Sequence, residues 1–328
     1  RLPRVYDLAY RLSDRSSIDR VLRGPRQRAQ QLSARSLLHA IQNVKPDALI
    51  CTHFLPAELC AGWRRSHQLS APLVTVITDF EPHRMWQHLG TNGYCVATEE
   101  AADRLMLDGI DRSMIHVTGI PIRSEFAGLP DRVTARNRLQ IDPDRSLLVV
   151  IGGGLGVGGI DRVARLLIQQ PIESQVAIIT GRNRSLRRSL RSTSPDWIVR
   201  GFVENMPDWL AAADVVISKA GGLAAAELMA AGVPTIIPRG LRGHETNNAH
   251  YLLTHAAALM ADSPQQAVER AIDLLQDHSL QNQMRSASLK FSKPNAAEDV
   301  ADYVLRGSVP SLRAKATLAP HCVLVQCR

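Results

Sequence analysis

Short apolar runs alternate with longer amphipathic stretches along most of this chain. Ten runs are predicted to form strands, at residues 47–51, 73–79, 93–98, 114–119, 147–153, 175–181, 197–203, 214–219, 235–238 and 258–261. The run at 147–151 is apolar without alternation, which is typical of a parallel strand covered on both faces. Helical periods lie between the runs, for example at 99–108, 160–169, 223–231 and 263–276. The alternation predicts a doubly wound, parallel α/β fold.

A polar segment divides the series of strands and helices into two parts. Residues 124–146 are rich in charged and turn-forming residues and include Pro130 and Pro143. We therefore expect a first domain at residues 1–130, a second at 131–306 and an irregular tail at 307–328. Two domains also agree with the length of 328 residues, since a domain usually has about 150.

Positive charge is concentrated at the start of the sequence. The formal net charge of the chain is +8, and residues 1–40 contain nine arginines against three aspartates. Such a segment suits an anionic surface, either lipid headgroups or nucleic acid, although a solvated helix face explains it equally well. Aromatic residues make up only 4% of the chain and are not interleaved with basic ones, so we expect no nucleic-acid partner. No apolar run reaches the roughly 18 residues that a membrane span needs.

Three glycine-containing segments carry candidate binding chemistry. Gly153 and Gly154 follow the buried strand at 147–151, and Gly221 and Gly222 follow Ser218 at the end of another strand. Backbone N–H groups at such strand-to-helix turns can approach a phosphate, and the helix dipole favours its charge. The first turn lacks the Lys-Ser/Thr ending of a kinase P-loop. The alternative reading of each turn is a purely structural one.

Polar side chains accompany these turns. Glu227 lies in the helix after the second turn, where a carboxylate could accept hydrogen bonds from a ribose diol; a solvated glutamate is the alternative. The third segment, residues 238–249, presents His244, Glu245 and Asn248 just before a helix. Acceptors and amides of this kind suit sugar hydroxyls, although they also serve as helix caps.

Four motifs together resemble one family of glycosyltransferases. They are Ser-Lys-Ala-Gly-Gly-Leu followed by Glu at 218–227, Gly-His-Glu-Thr-Asn-Asn-Ala at 243–249, Thr-Asp-Phe with His-Arg-Met-Trp at 78–86, and Thr-Gly-Ile-Pro-Ile-Arg at 118–123. Over residues 5–306 the chain is similar to the processive diacylglycerol glucosyltransferases and the monogalactosyldiacylglycerol synthases of glycosyltransferase family 28. The resemblance implies the GT-B fold, with two Rossmann-like domains facing a cleft, and an inverting transfer of a hexose from a UDP-sugar to diacylglycerol.

The resemblance also implies roles for individual residues. The four glycines would hold the diphosphate, Glu227 the ribose, and Glu245 and Asn248 the donor sugar. Ser218 and His244, which belong to the same motifs, are also predicted to contact the nucleotide sugar. The backbone of Phe202 and Val203 would receive the uracil, and Arg182 would neutralise the diphosphate unless it is a surface arginine. His244 stands where the family usually has Gln, which leaves the donor sugar open.

The general base is less clear from the sequence. No glycine-rich loop precedes residue 47, so the family's first strand–helix unit, with the histidine proposed as base in several members, is expected to be missing. His53 and Asp79, which follow predicted strands, are the remaining candidates, and either could orient rather than deprotonate the acceptor. His53 is equally well explained as a capping or core histidine.

Contact with a membrane is predicted for His83 and Trp86, with a core position of Trp86 as the alternative. Asp142-Pro143-Asp144 precedes a strand and is interpreted as a turn, so neither a metal ion nor another cofactor is expected. We expect a protein peripheral to the cytoplasmic face of the cell membrane. Three other functions stay open: transfer of GlcNAc to a polyprenyl-linked peptidoglycan precursor, a UDP-GlcNAc 2-epimerase reaction, and UDP binding without turnover.

Overall fold

The computed structural model describes residues 34–154, 159–194, 196–239, 244–306 and 322–325. Most of the basic segment 1–40 and of the tail 307–328 lies outside these residues. Within the described part, the helices span Arg35–Val44, Phe54–Arg65, Glu99–Leu107, Arg132–Leu139, Ile160–Ile168, Arg184–Thr193, Met206–Ala212, Gly222–Ala231, His244–Thr254, Pro264–Gln276, His278–Phe291 and Ala296–Arg306. None of these helices is long and apolar enough to cross a membrane.

The strands form two fully parallel sheets. They are β1 (Ala48–Cys51), β2 (Leu73–Val76), β3 (Gly93–Val96), β4 (Ile115–Val117), β5 (Leu147–Ile151), β6 (Gln175–Ile179), β7 (Ile198–Arg200), β8 (Val215–Ser218), β9 (Thr235–Pro238), β10 (Ala258–Ala261) and β11 (Cys322–Val325). The first sheet has the order β11-β1-β2-β3-β4 and the second the order β10-β9-β8-β5-β6-β7. The prediction of parallel α/β architecture is confirmed.

Helices cover both faces of the second sheet, as the apolar run at 147–151 predicts. Leu148 and Val150 pack with one group of helices, including Val163 of the helix Ile160–Ile168. Leu147, Val149 and Ile151 point to the opposite face, where Trp209 is buried. Successive side chains of a strand alternate between faces, so each must be apolar when both faces are covered.

The chain divides into two compact units, and the division differs from the predicted domains. Unit 1 comprises residues 1–121 and 295–328, and unit 2 comprises 122–294. The helix Ala296–Arg306 belongs to unit 1 because Val300 and Val304 pack against Val74 and Val76 of the first sheet. The predicted boundaries at 130 and 306 missed this return of the chain.

The tail was expected to be irregular, yet four of its residues form a strand. β11 pairs in parallel with β1, with Ala48 opposite Cys322 and Cys51 opposite Val325. The tail prediction therefore needs correction at Cys322–Val325. These residues read Cys-Val-Leu-Val, an apolar run that fits a sheet edge.

Candidate functional site

The strand order of the second sheet reverses between β5 and β8. Going outward from this point, β5, β6 and β7 follow in one direction and β8, β9 and β10 in the other. The two strands end level with each other, because Ile151 pairs with Ser218. Open α/β sheets bind ligands in the crevice at the carboxyl ends of the strands at such a switch point. Both predicted glycine turns begin here.

The first glycine turn is anchored to the neighbouring loop after β6. Gly153 has a φ of +67° and Gly181 a φ of +57°, which side-chain-bearing residues rarely adopt. The N–H of Arg182 donates to the carbonyl of Gly154 at 2.9 Å. A Cβ on Gly181 would lie 2.7 Å from the carbonyl oxygen of Gly154, so only glycine permits this approach of the two loops. A Cβ on Gly154 would meet no atom of the described residues within 4 Å.

The second glycine turn forms the start of a helix. Gly221 is the N-cap residue of the helix Gly222–Ala231 and provides no side-chain cap for the first N–H groups. Within the part of the chain that the structure describes, a Cβ on Gly221 would also meet nothing within 4 Å. Uncapped amides at a helix N-terminus and the helix dipole both favour an anion. Ser218, by contrast, is buried and donates its hydroxyl to the carbonyl of Lys219 at 3.2 Å, so it supports the turn internally.

Lys219 connects three of the loops at this edge and was missed as a candidate from the sequence. Its Nζ lies 2.6 Å from Oε1 of Glu245, at the start of the helix after β9. Its Cε would be 3.1 Å from a Cβ built on Gly153. A cation is therefore held between the two glycine turns, and the carboxylate predicted to bind the donor sugar is the group that holds it.

The remaining residues of the third segment are only partly described. Asn248 is fully buried in the helix His244–Thr254 and has an interaction partner within the protein. The side chain of His244 lies outside the described residues, as do residues 240–243. The predicted contacts of Asn248 and His244 with the donor sugar stay predictions.

Glu227 occupies a position that disfavours its charge. Burial raises the pKa of its carboxyl from 4.5 to about 6, while the cation of Arg123 acts in the opposite direction. Arg123 also donates to the carbonyl of Glu204. Acids whose pKa is shifted by burial cluster at functional sites, which agrees with the predicted role of Glu227. Arg123 is the second residue missed from the sequence, although it ends the motif at 118–123.

Arg182 and Phe202 are brought together at the outer strands of the same sheet. The guanidinium of Arg182 stands over the Phe202 ring, with its Cζ 5.6 Å from the ring centroid. Phe202 is 59% exposed and Val203 is half-buried, just after β7. A nucleobase can stack on an exposed aromatic ring of this kind. The predicted contact of uracil with the backbone of Phe202 and Val203 stays a prediction.

In unit 1 the structure brings the two candidate bases to one aromatic cluster. Nε1 of Trp86 donates to Oδ2 of Asp79 at 3.0 Å. The ring of His53 stacks on Phe54 at 4.3 Å and lies 6.3 Å from Trp86. Asp79 and His53 therefore lie close to each other at the carboxyl ends of β1 and β2.

His53 is a capping residue, which was the alternative reading. Its Nδ1 accepts the N–H of Leu55 at 3.3 Å, at the start of the helix Phe54–Arg65. This contact gives His53 a structural role at the helix start, and its predicted role as general base stays a prediction. Asp79 is the better candidate for the base.

The predicted membrane contact of Trp86 and His83 needs correction. Trp86 is 3% exposed and packs with Ile77 and Leu105 in the core of unit 1. His83 is buried as well, and its Nδ1 accepts the N–H of Met85 at 3.0 Å. An indole that lies in the core and donates its N–H to Asp79 is not available to a lipid interface.

The segment at Asp142-Pro143-Asp144 is a turn. The N–H of Asp144 donates to Oδ1 of Asp142 at 2.9 Å, in an Asx turn that precedes β5. Among the residues that the structure describes, no group of three His, Cys, Asp or Glu side chains is arranged to hold a metal ion.

Comparison with known proteins gives a consistent assignment for both halves of the chain. Residues 1–122 match the model of the monogalactosyldiacylglycerol (MGDG) synthase family, and residues 147–300 match the glycosyltransferase family 28 C-terminal domain. The chain is 30% identical over 284 residues to monogalactosyldiacylglycerol synthase 3 of Arabidopsis thaliana, covering 81% of this chain and 60% of that protein. It is 27% identical over 282 residues to a processive diacylglycerol beta-glucosyltransferase of Staphylococcus epidermidis, covering 84% and 72%.

Solved structures show the same fold at low sequence identity. S. aureus MnaA, solved with UDP, has a TM-score of 0.65 at 15% identity and covers 84% of this chain and 80% of its own. Acinetobacter baumannii MurG has a TM-score of 0.59 at 18% identity, covering 85% and 78%. The chain spans 60% of the length of the plant relatives that it matches. These matches show that the chain belongs to the glycosyltransferase family 28 group of monogalactosyldiacylglycerol synthases and processive diacylglycerol glucosyltransferases, with the GT-B fold.

Proposed function

We propose that this protein transfers a hexose from a UDP-sugar to diacylglycerol with inversion at the anomeric carbon. One observation supports this proposal most strongly. Two glycine turns, the cation of Lys219 and the carboxyl of Glu227 occur together at the carboxyl edge of the sheet in unit 2. Its relatives are named as diacylglycerol glycosyltransferases, which supports the same acceptor. The UDP bound to MnaA supports the same leaving group.

Each group at this edge has a part in the proposed reaction. The amides of the glycine turns and Lys219 stabilise the negative charge that develops on the diphosphate, so that no metal ion is required. Glu227 accepts hydrogen bonds from the ribose diol. The acceptor hydroxyl oxygen forms the new bond to the anomeric carbon while the bond to the diphosphate oxygen breaks, and UDP leaves.

Asp79 is the proposed group that takes the proton from the acceptor hydroxyl. The indole N–H of Trp86 fixes one carboxylate oxygen and thereby orients the other. Asp79→Asn keeps the shape but removes the proton acceptor, so kcat should fall about a hundredfold or more with little change in UDP affinity. Trp86→Phe, which keeps Asp79 but removes the donor, is the matched control and should lower kcat less. Equal activity of Asp79→Asn and the unchanged protein would rule out this role.

The reaction itself is tested with labelled UDP-glucose, UDP-galactose and UDP-GlcNAc. Each donor is offered with diacylglycerol, with a polyprenyl-linked peptidoglycan precursor and with no acceptor. A monoglycosyldiacylglycerol product supports the proposal. A product on the polyprenyl acceptor, or an epimerised nucleotide sugar without any acceptor, contradicts it and favours one of the other two reactions. UDP binding without product in every combination would leave only a nucleotide-binding protein.

We further propose that the protein acts as a peripheral protein on the cytoplasmic face of the membrane.

A further inference from the structure

The helix Arg184–Thr193 of unit 2 has two sharply different faces. Leu186 and Leu190 pack into the core beneath the sheet. Arg184, Arg188 and Arg191 are exposed and lie on the opposite side, because spacings of four and three residues return to the same face of a helix. We refer to these three arginines as the basic face. None of them forms an ion pair with a residue that the structure describes, and the helix itself contains no acidic residue.

The basic face belongs to a segment of high positive charge. Residues 182–200 contain six arginines and one aspartate, a net of +5, whereas the whole chain has +8. Arg191 also donates to the carbonyl of Val199 at 3.3 Å, which fixes the helix against β7 at the edge of the sheet. An exposed group of like charges raises the local potential and attracts a surface of opposite charge.

The basic face starts next to the proposed donor site. The helix follows the turn of Gly181 and Arg182, whose backbone is hydrogen-bonded to Gly154 of the first glycine turn. A surface that contacts the basic face would therefore lie beside the carboxyl end of the second sheet, where the proposed reaction takes place. For an enzyme whose acceptor is a membrane lipid, this position would bring the membrane surface close to the proposed donor site.

We propose that the basic face is a docking surface for an anionic lipid membrane. The proposal rests on the proposed function, since a membrane-embedded acceptor is the reason for docking. Serines and leucines separate the arginines of the helix, and the helix contains no aromatic residue of the kind on which single-stranded nucleic acid stacks. Charge complementarity identifies the partner: phosphate-bearing headgroups lie opposite three guanidinium groups that form no ion pair with a described residue.

The test is co-sedimentation with vesicles of phosphatidylcholine, with and without one third phosphatidylglycerol. The variant Arg184→Gln/Arg188→Gln/Arg191→Gln removes the basic face. Each arginine near an anionic surface contributes about fivefold to partitioning, so the variant should bind anionic vesicles about a hundredfold more weakly. The unchanged protein should lose its binding at high salt and on neutral vesicles.

Two further variants separate charge from position and from folding. Arg112→Gln/Arg162→Gln/Arg165→Gln removes three exposed arginines elsewhere and should bind nearly as well as the unchanged protein. Replacement of Arg184, Arg188 and Arg191 by Lys keeps the charge and should also keep the binding. All variants should have the same thermal unfolding midpoint within a few degrees, because the three side chains lie outside the core.

The outcomes distinguish this inference from the proposed function. The inference is overturned if the Gln variant of the basic face binds vesicles as well as the unchanged protein. It is also overturned if the two triple Gln variants lose binding equally. Binding of a single-stranded RNA that needs the basic face, without binding to vesicles, overturns it in favour of a nucleic-acid partner. Transfer to diacylglycerol in uncharged detergent micelles reports on the proposed function separately, and there the Gln variant should keep full activity.

Discussion

Replacing Glu227 by Gln should make the protein more stable and a weaker binder of UDP. Glu227→Gln removes the charge but keeps the size of the side chain. In the unfolded chain the carboxyl has its ordinary pKa of 4.5, and burial raises the pKa in the folded chain to about 6. The folded state thus binds more protons than the unfolded state between these values, and stability falls as the pH rises through them.

The size of the effect follows from the shift in pKa. One pKa unit corresponds to about 1.4 kcal/mol, so the shift of Glu227 costs about 2 kcal/mol above pH 6 and nothing well below pH 4.5. Glutamine carries no charge at any pH, and the variant lacks this cost. The loss of a charged acceptor for the ribose diol should weaken UDP binding about tenfold or more, since hydrogen bonds to charged groups are worth about 1.5–3 kcal/mol.

Urea unfolding of both proteins at a series of pH values, and UDP titration calorimetry at neutral pH, measure the two effects. The difference in unfolding free energy between the proteins should grow from near zero at pH 4 to about 2 kcal/mol at pH 7. The other titrating groups are the same in both proteins, so their contributions to the pH dependence cancel in this difference. A difference that does not change with pH would refute the argument from burial, and unchanged UDP affinity would remove Glu227 from the proposed ribose contact.

Two further substitutions test other parts of unit 2. Lys219→Met removes the cation 2.6 Å from Glu245 and leaves that carboxylate facing the proposed diphosphate, so UDP affinity should fall about tenfold or more while the affinity for uridine stays the same; calorimetry with both ligands checks this. Asp214→Asn removes the carboxylate that Arg136 contacts at 2.7 Å. Because Arg136 has no exposed side-chain surface, the unfolding free energy should fall by about 3–5 kcal/mol in urea. A loss below 1 kcal/mol would show that the carbonyl groups around Arg136 suffice to hold its charge.

The sheets and the glycine turns were predictable because their signals are local. A buried strand, two glycines and a helix follow one another within a few residues at 147–168 and again at 215–231. The crevice at the switch point follows from the order of such units. The contact between Lys219 and Glu245 was not predictable, because the two residues are 26 positions apart and meet only through the pairing of β8 with β9.

Other features depended on packing that a sequence pattern does not encode. Trp86 fits an interface residue and a core residue equally well by composition, and its burial against Ile77 decides between them. The return of the helix Ala296–Arg306 to unit 1 could not be predicted from the alternation of strands and helices. An amphipathic pattern shows which face of a helix is buried but not which sheet that face contacts.

That return has a consequence for the way the protein matures on the ribosome. Unit 1 is discontinuous in sequence, and the face of its sheet formed by Val74 and Val76 is covered by Val300 and Val304. During translation this apolar face stays uncovered until more than two hundred further residues, including all of unit 2, have been synthesised. We therefore expect chaperones to bind the nascent first half. Unit 2 is contiguous in sequence and can complete its core before unit 1 does.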